Sequence, residues 1–188
     1  MRQLVLDTET TGLDPAKGHS IIELAFVEMV TDWPHRPAVA TGRTRRWLIR
    51  PERAIDPEAT AVHGYTDADL ADAPTWAEVA PAIREELAGS MVVAHNARFD
   101  LGHLRAQSDR LVAQGLDPLP EPLPLCTKDL ARRVLPDLDS HRLDDLCDAF
   151  GIDRQQRIEH GHGALLDAEL LVAVYQRLIT YSMQSAAA

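Results

Sequence analysis

Short apolar runs alternate with polar turns over the first fifty residues of the chain. Residues 3–7 form an apolar run that ends in polar residues, and residues 21–30 are rich in β-branched and apolar side chains. Residues 43–50 place Trp47 and Ile49 on one face. Runs of this length, bounded by Gly, Pro and Asp, predict strands. Because the connections between them are short, the pattern favours an antiparallel meander of three strands.

Helical patterns follow after Pro51. Thr75 and Glu78 have the spacing of a capping box, which predicts a helix that ends near Gly89. Further helices are predicted over residues 98–114, 127–135, 143–150 and 164–181, and short strands over residues 91–94 and 123–126. The sequence therefore predicts one α/β domain over residues 1–182, followed by a disordered tail over residues 183–188.

Composition narrows the class of protein. A length of 188 residues, with 45% hydrophobic and 26% charged residues, is ordinary for one globular domain. The first residues are too short an apolar run for a signal peptide, and no stretch approaches the roughly 20 apolar residues of a membrane span. Cys126 and Cys147 have neither CxxC nor zinc-ligand spacing, which favours a reducing compartment. We therefore predict a cytoplasmic protein with no membrane partner.

Four carboxylates and one histidine, scattered over the chain, carry the candidate chemistry. They are Asp7 and Glu9 in LVLDTETTGL, Asp100 in VVAHNARFDL, and His162 and Asp167 in HGHGALLDAE. Carboxylate oxygens are ligands that Mg²⁺ and Mn²⁺ prefer, and a histidine can take a proton near neutral pH. Because two-metal phosphodiester hydrolysis needs groups of these kinds, nucleic-acid cleavage is the leading hypothesis.

The predicted elements also suggest where these residues lie. Asp7 and Glu9 are two residues apart, so their side chains should leave a strand or its exit on one face. Asp100 should lie near the N-terminus of a helix, at the edge of the sheet where sites of α/β proteins are assembled.

The histidines differ in their expected roles. His162 lies between two glycines and is expected on a mobile loop, with Asp167 about one turn into the following helix. His160 lies two residues upstream and ranks behind His162, whereas His95 is expected to be a hydrogen-bonded structural residue.

The formal net charge of −10 argues against a nucleic-acid coat protein, which would normally be basic. It does not argue against a nuclease, because bound metal ions add local positive charge. A small basic rim beside an acidic metal site would suit a short single-stranded end. The candidate arginines for such a rim are Arg43, Arg45, Arg46, Arg98, Arg105, Arg132 and Arg133.

The segments DTETTG, HNARFD and HGALLDA, taken together, resemble the three-part signature of the DEDDh 3′–5′ exonucleases. Within that family the chain is similar to the DnaQ-like proofreading (epsilon) subunits of bacterial DNA polymerase III. The resemblance runs from residue 4 to about residue 175 and includes IIELAFVE, CTKDLARRVLP and LDDLCDAFGI. It implies a ribonuclease H-like α/β domain, in which helices flank a mixed five-stranded sheet made of the meander and parallel strands.

The resemblance also implies a reaction and roles for single residues. The enzyme would hydrolyse the terminal phosphodiester at a 3′ end and release 5′-mononucleotides. Asp7, Glu9, Asp100 and Asp167 would hold two divalent ions, Mg²⁺ or Mn²⁺, and His162 would be the general base. Six further residues would hold the terminal nucleotide, each with ordinary packing as its alternative: Thr10, Leu13, His63, Gly64, Asn96 and Phe99.

Three functions remain to be separated. The favoured partner is DNA with a free 3′ end, which would be cleaved either during proofreading or by a free-standing enzyme. An RNA exonuclease similar to RNase T or oligoribonuclease would have the same catalytic centre. A non-catalytic subunit would lack at least one ligand, and none is missing. The chain ends soon after the last predicted helix without a recognisable clamp-binding segment, which leaves a DNA polymerase partner open.

Overall fold

A mixed five-stranded sheet organises the computed structural model, which describes residues 1–32 and 36–186. The strand order is β3-β2-β1-β4-β5. The first three strands pair antiparallel, as the predicted meander does, whereas β4 is parallel to β1 and β5 is parallel to β4. The strands are β1 (Arg2–Thr10), β2 (Ile21–Asp32), β3 (Arg36–Leu48), β4 (Met91–Ala94) and β5 (Leu123–Cys126).

Helices cover both faces of this sheet. In the part of the chain that the structure describes, they are α1 (Pro57–His63), α2 (Trp76–Leu87), α3 (Arg98–Ala113), α4 (Thr127–Val134), α5 (Leu143–Phe150), α6 (Gln155–His160) and α7 (Ala164–Ala186). Within residues 1–32 and 36–186, none of them combines the length and apolar character needed to cross a bilayer.

Several elements differ from the prediction. The structure adds α1, α6 and a 3-10 turn at Pro15–Lys17. With seven, six and three residues, these elements are too short to establish a helical period in the sequence. The last helix extends past residue 181, so the predicted tail is helical as far as Ala186. Residues 187 and 188 lie outside the described residues.

Alternation along β1 decides which side chains face which helices. Leu4 and Leu6 pack in the core cluster that contains residues of α2 and α3, whereas Val5 packs in the cluster formed with α5 and α7. Because side chains alternate along a strand, Asp7 and Glu9 point to the same face as Val5. The strand therefore presents both carboxylates on the face that α7 covers.

Candidate active site

The five residues with candidate chemistry meet at one end of the sheet. Asp7 and Glu9 lie near the end of β1, and Asp100 lies in the first turn of α3, directly after β4. Asp167 lies in the first turn of α7, and His162 lies on the loop before it. Because β1 and β4 are parallel, their carboxyl ends meet at one edge. All five side chains line a cleft of about 310 Å³ there.

The donor set in this cleft suits a divalent cation. One atom from each of Glu9, His162 and Asp167 lies within 4.8 Å of the other two. Glu9 and Asp167 are buried, with 8% and 3% of their surface exposed. Oδ1 of Asp167 is buried and receives no directed hydrogen bond. This oxygen has an ion pair with Arg157 but no directed hydrogen bond, and a hard divalent ion is a partner that such a buried carboxylate oxygen prefers.

Burial raises the pKa values of three carboxyl groups, and for Asp7 and Glu9 repulsion from neighbouring carboxylates adds to the rise. Burial raises the pKa of Glu9 from 4.5 to about 8, and repulsion from Asp167 adds to this effect. Burial also raises the pKa of Asp100 to about 7, although the Thr8 hydroxyl donates to its Oδ1 at 2.7 Å and opposes the shift. The pKa of Asp7 lies well above its ordinary range because of burial and then the neighbouring Asp100 and Glu9. These groups cannot all ionise together without added positive charge.

Glu23 is a buried carboxylate that the sequence analysis did not single out. It lies opposite Glu9 in the β1–β2 register and is 1% exposed. Its Oε2 accepts a hydrogen bond from the N–H of Ala164, the first residue of α7, at 3.1 Å. This carboxylate accepts from an N–H group that has no partner within the helix, and it thereby fixes the start of α7, the helix that carries Asp167. The available signal was a charge inside the apolar run IIELAF, because a buried charge requires a partner.

Arg157 of α6 also enters the cleft, and no sequence pattern separated it from surface arginines. Its Nε lies 2.8 Å from Asp167 Oδ1, but the N–H does not point at that oxygen, so the contact is an ion pair without a directed hydrogen bond. Its Nη2 lies 2.8 Å from Nδ1 and 3.2 Å from Nε2 of His162, and its Nη1 pairs with Asp144. A protein cation thus lies among the candidate metal ligands.

Asn96 and Phe99, two of the six residues implied for the terminal nucleotide, line the cleft. Asn96 has a left-handed backbone, with φ of 64°, a conformation that asparagine tolerates better than most residues. The Phe99 ring lies 4.5 Å from the His103 ring, which packs behind it.

The other four, Thr10, Leu13, His63 and Gly64, lie outside the lining of this cleft. His63 ends α1, and its Nε2 lies 3.3 Å from the Thr10 carbonyl. The next residue, Gly64, caps α1 in the left-handed conformation, and Leu13 is 82% exposed. The neighbouring Val62 carbonyl accepts from the His162 N–H at 3.4 Å. His63 and Gly64, at the C-terminal end of α1, therefore lie beside the His162 loop.

The basic side chains on the cleft wall are Lys128, Arg142 and Arg157, which the sequence analysis did not name as candidates for phosphate contacts. None of the seven arginines expected there lines the cleft. Most are instead engaged in ion pairs: Arg43 and Arg45 with Glu86, Arg46 with Glu23, Arg105 with Glu121, and Arg132 with Asp129.

His95 lines the cleft but is hydrogen-bonded through both ring nitrogens, as predicted. Nδ1 contacts Thr127 Oγ1 at 3.0 Å, and Nε2 contacts the His141 carbonyl at 2.9 Å. Burial lowers its pKa to about 4. It is therefore a neutral structural residue that connects β4 to α4.

Comparison with known proteins identifies the family. A model of the RNase_T family, described as Exonuclease, matches residues 4–175, a range that includes all five residues of the cleft. The chain belongs to this exonuclease family. The predicted family resemblance is thereby confirmed.

Curated relatives of this exonuclease chain carry one name. DNA polymerase III subunit epsilon of Haemophilus influenzae is 40% identical over 180 residues, which cover 93% of this chain and 66% of the relative. The Escherichia coli K12 protein of the same name is 38% identical over 182 residues, covering 93% of this chain and 70% of its own length. The chain thus spans about two thirds of the length of these relatives.

Solved exonuclease structures share the fold. Exonuclease X in complex with 5′ overhanging duplex DNA matches with a TM-score of 0.69 and 29% identity, over 96% of this chain and 92% of that chain. E. coli Exonuclease I in complex with a dT13 oligonucleotide matches with a TM-score of 0.78 over 97% of this chain and 42% of that chain. At 19% identity this second match shows the fold alone. The predicted fold class is confirmed.

Proposed function

We propose that the protein is a metal-dependent 3′–5′ exonuclease that hydrolyses the terminal phosphodiester of DNA and releases 5′-mononucleotides. The observation that carries this proposal is the buried carboxylate cluster beside His162, in a chain that belongs to an exonuclease family. DNA as the substrate is supported by the epsilon-subunit relatives and by the DNA complex of Exonuclease X.

The carboxylates of Asp7, Glu9, Asp100 and Asp167 would hold two divalent ions, Mg²⁺ or Mn²⁺. The fit rests on the raised pKa values of Glu9 and Asp100 and on the Asp167 oxygen that lacks a directed donor. When bound, such ions polarise the water and the phosphate and offset the charge on the leaving 3′-oxygen.

His162 would take the proton of the attacking water. Its Nδ1 faces Asp167 Oδ2 at 3.2 Å, and a carboxylate in this position orients an imidazole ring. If Nδ1–H donates to Asp167, Nε2 is the acceptor. The water oxygen then bonds to phosphorus as the bond to the 3′-oxygen breaks. The proton of the water passes through His162 to solvent, and the leaving 3′-oxygen takes up a proton from solvent to become the new 3′-hydroxyl. Because only the neutral ring can accept a proton, turnover should fall in acid.

The remaining cleft residues would position the strand end. Asn96 and Phe99 would contact the terminal nucleotide from the cleft wall, and Lys128 and Arg142 would attract its phosphates. The other four residues would support the terminal base, with the exposed Leu13 as the wedge: Thr10, Leu13, His63 and Gly64.

We also propose that this exonuclease proofreads alongside a DNA polymerase in the cytoplasm. The relatives at 38% to 40% identity are named as polymerase subunits. A cleft with a small basic wall on a chain of net charge −10 favours a short frayed end over a long duplex footprint.

A product ladder tests the reaction. Single-stranded DNA and RNA of one sequence, labelled at the 5′ end, would be incubated with Mg²⁺, Mn²⁺ or EDTA. We expect DNA to shorten from its 3′ end with either ion and to stay intact in EDTA. Faster cleavage of RNA would favour an RNA exonuclease, and cleavage that starts from the 5′ end or persists in EDTA would refute the proposal. Equal rates on matched and mismatched primer termini would contradict proofreading.

Two aspartates on α3 provide a matched pair of variants. Asp100 lines the cleft, whereas Asp109 is exposed on the same helix. Because ligands of one site act as a unit, Asp100→Asn should reduce the rate by about 1,000-fold or more. Asp109→Asn should leave the rate unchanged, and circular dichroism would check that both variants fold. Similar rates for the two variants would remove Asp100 from the catalytic set.

A further inference from the structure

Arg157 is poorly explained by the hydrolytic reaction alone. Its side chain is only 9% exposed, although it stands on α6, a six-residue helix made mostly of polar residues. Its guanidinium faces Asp167, His162 and Asp144 at the same time. A long cationic side chain loses much conformational freedom in such a position, so the contacts that hold it must be substantial.

The guanidinium and a divalent ion would compete for the same atom. Arg157 Nε lies 2.8 Å from Asp167 Oδ1, the buried oxygen without a directed hydrogen bond. Metal ligation requires that a carboxylate oxygen approach the ion directly. Two cations on one oxygen would repel each other strongly in a site of low dielectric constant. Occupation of Asp167 Oδ1 by one cation therefore disfavours the other.

The same side chain covers the candidate base. Arg157 Nη2 lies within 3.2 Å of both ring nitrogens of His162. The guanidinium therefore competes with water for the ring nitrogen that would accept a proton, although 39% of the His162 side chain is exposed. Departure of Arg157 would thus free Asp167 and His162 together.

The segment that carries Arg157 packs weakly against the core. Ile158, the large apolar residue of α6, is 63% exposed, so the helix is not anchored by apolar burial. Gly161 follows with φ of 80° and ψ of −168°, a conformation essentially restricted to glycine, which suits a hinge. Asp144 lies outside the candidate ligand set and can keep Arg157 paired after it leaves Asp167.

We propose that Arg157 is a built-in counter-ion that competes with a divalent metal ion for Asp167, so that metal binding and withdrawal of Arg157 from His162 are one event. This inference rests on the proposed function, because it requires that the carboxylates bind a divalent ion. Arg157 is a positioning residue in this scheme, since it acts through Asp167 and His162.

Calorimetric titration with Mn²⁺ tests the competition. Arg157→Gln removes the competing cation, so it should bind Mn²⁺ about tenfold more tightly than the wild type, within the usual range of coupling between two sites. Arg154→Gln is the matched control: Arg154 is in the same segment and lies 3.9 Å from Asp144, but its nearest partner is Asp148 at 2.8 Å and it does not line the cleft. This control should bind Mn²⁺ as the wild type does. Equal or weaker binding by Arg157→Gln would overturn the inference.

A measurement on the wild type keeps the test independent of the stability of that variant. The Nε–H resonance of Arg157 can be followed by ¹⁵N NMR during titration with Mg²⁺, and Arg157→Lys, which lacks it, assigns the signal. We expect it to shift in step with saturation of the site, while the Arg154 resonance stays in place. An Arg157 signal that is unchanged at saturation would refute the competition.

The two proposals fail in different ways. If the wild type binds neither Mn²⁺ nor Mg²⁺, the proposed function fails and the inference fails with it. If the wild type binds both ions but either Arg157 measurement fails to change as expected, only the counter-ion role is lost.

Discussion

Replacement of Glu9 with Gln removes a buried charge and keeps nearly the same shape of side chain. Glu9 is 8% exposed, and burial together with repulsion from Asp167 raises its pKa from 4.5 to about 8. The carboxyl group is therefore protonated in the folded, metal-free protein at pH values where it is ionised in the unfolded chain. Gln cannot ionise, so Glu9→Gln should remove this pH dependence.

The sign and size follow from linkage. Because the folded pKa of Glu9 is the higher one, the folded protein binds more protons between pH 4.5 and about 8, and stability falls as pH rises through this window. Each pH unit inside it costs about 1.4 kcal/mol, so the loss between about pH 6 and about pH 8.5 is on the order of 3 kcal/mol. Glu9→Gln should escape this loss while Asp7 and Asp100 retain theirs.

Urea unfolding in EDTA at the two pH values measures the effect. The free energy of unfolding of Glu9→Gln should exceed that of the wild type more at the alkaline pH than at the acidic one, by about 3 kcal/mol. Added Mn²⁺ should stabilise the wild type and have little effect on the variant, which should also be inactive. The same pH dependence in both proteins would show that ionisation of Glu9 does not destabilise the metal-free protein, and would refute this account.

Two further substitutions test the frame around the site. Gly12→Ala would place a Cβ 2.3 Å from the ring of His19, which is 7% exposed, so a buried side chain would have to shift and we expect a loss of about 1–3 kcal/mol in urea unfolding. Gly102→Ala, on a helix where the nearest atom is 3.9 Å away, should be neutral or stabilising, and equal losses would contradict the clash. Thr8→Val removes the donor to Asp100 at 2.7 Å, a charged hydrogen bond worth about 1.5–3 kcal/mol. Thr8→Val should raise the Mg²⁺ concentration needed for half-maximal rate, whereas Thr8→Ser, which keeps the hydroxyl, should have the wild-type value. Equal values for the two variants would show that the hydroxyl does not support metal binding by Asp100.

The sequence predicted most of the fold because its strongest signals are local. The strands Met91–Ala94 and Leu123–Cys126 and the helix Leu143–Phe150 occur at the predicted residues, since each has a clear local boundary, such as Gly151 directly after the helix. Prediction was weaker for β3, which begins at Arg36 instead of residue 43. The added part, residues 36–42, contains Pro37 and Gly42, which disfavour a strand, and it rests on pairing with β2, a long-range contact that has no local signature.

The catalytic residues of the candidate site were predicted from local signals of the same kind. The residues that hold them in place, Glu23 and Arg157, were not predicted. Asp7 and Glu9 could be placed on one face because strand alternation is a property of the chain itself. The roles of Glu23 and Arg157 depend on contacts across the fold, with Ala164 at a separation of 141 residues and with Asp144 at 13. Neither partner can be read from spacing, because each pairing exists only after the helices dock on the sheet.

The catalytic carboxylates create a conflict between stable folding without a metal ion and the ability to bind one, and Arg157 bears on both. A cluster that includes Asp7, Glu9 and Asp100 is costly to fold before a metal ion arrives, as their raised pKa values show. Arg157 lowers this cost, because its charge opposes the rise in the pKa of both Asp7 and Glu9. Complete neutralisation by further arginines would stabilise the metal-free protein, but each added cation would also have to leave before a metal ion could bind. A single arginine on a weakly anchored helix reconciles the two demands, since it supports folding and can still be displaced.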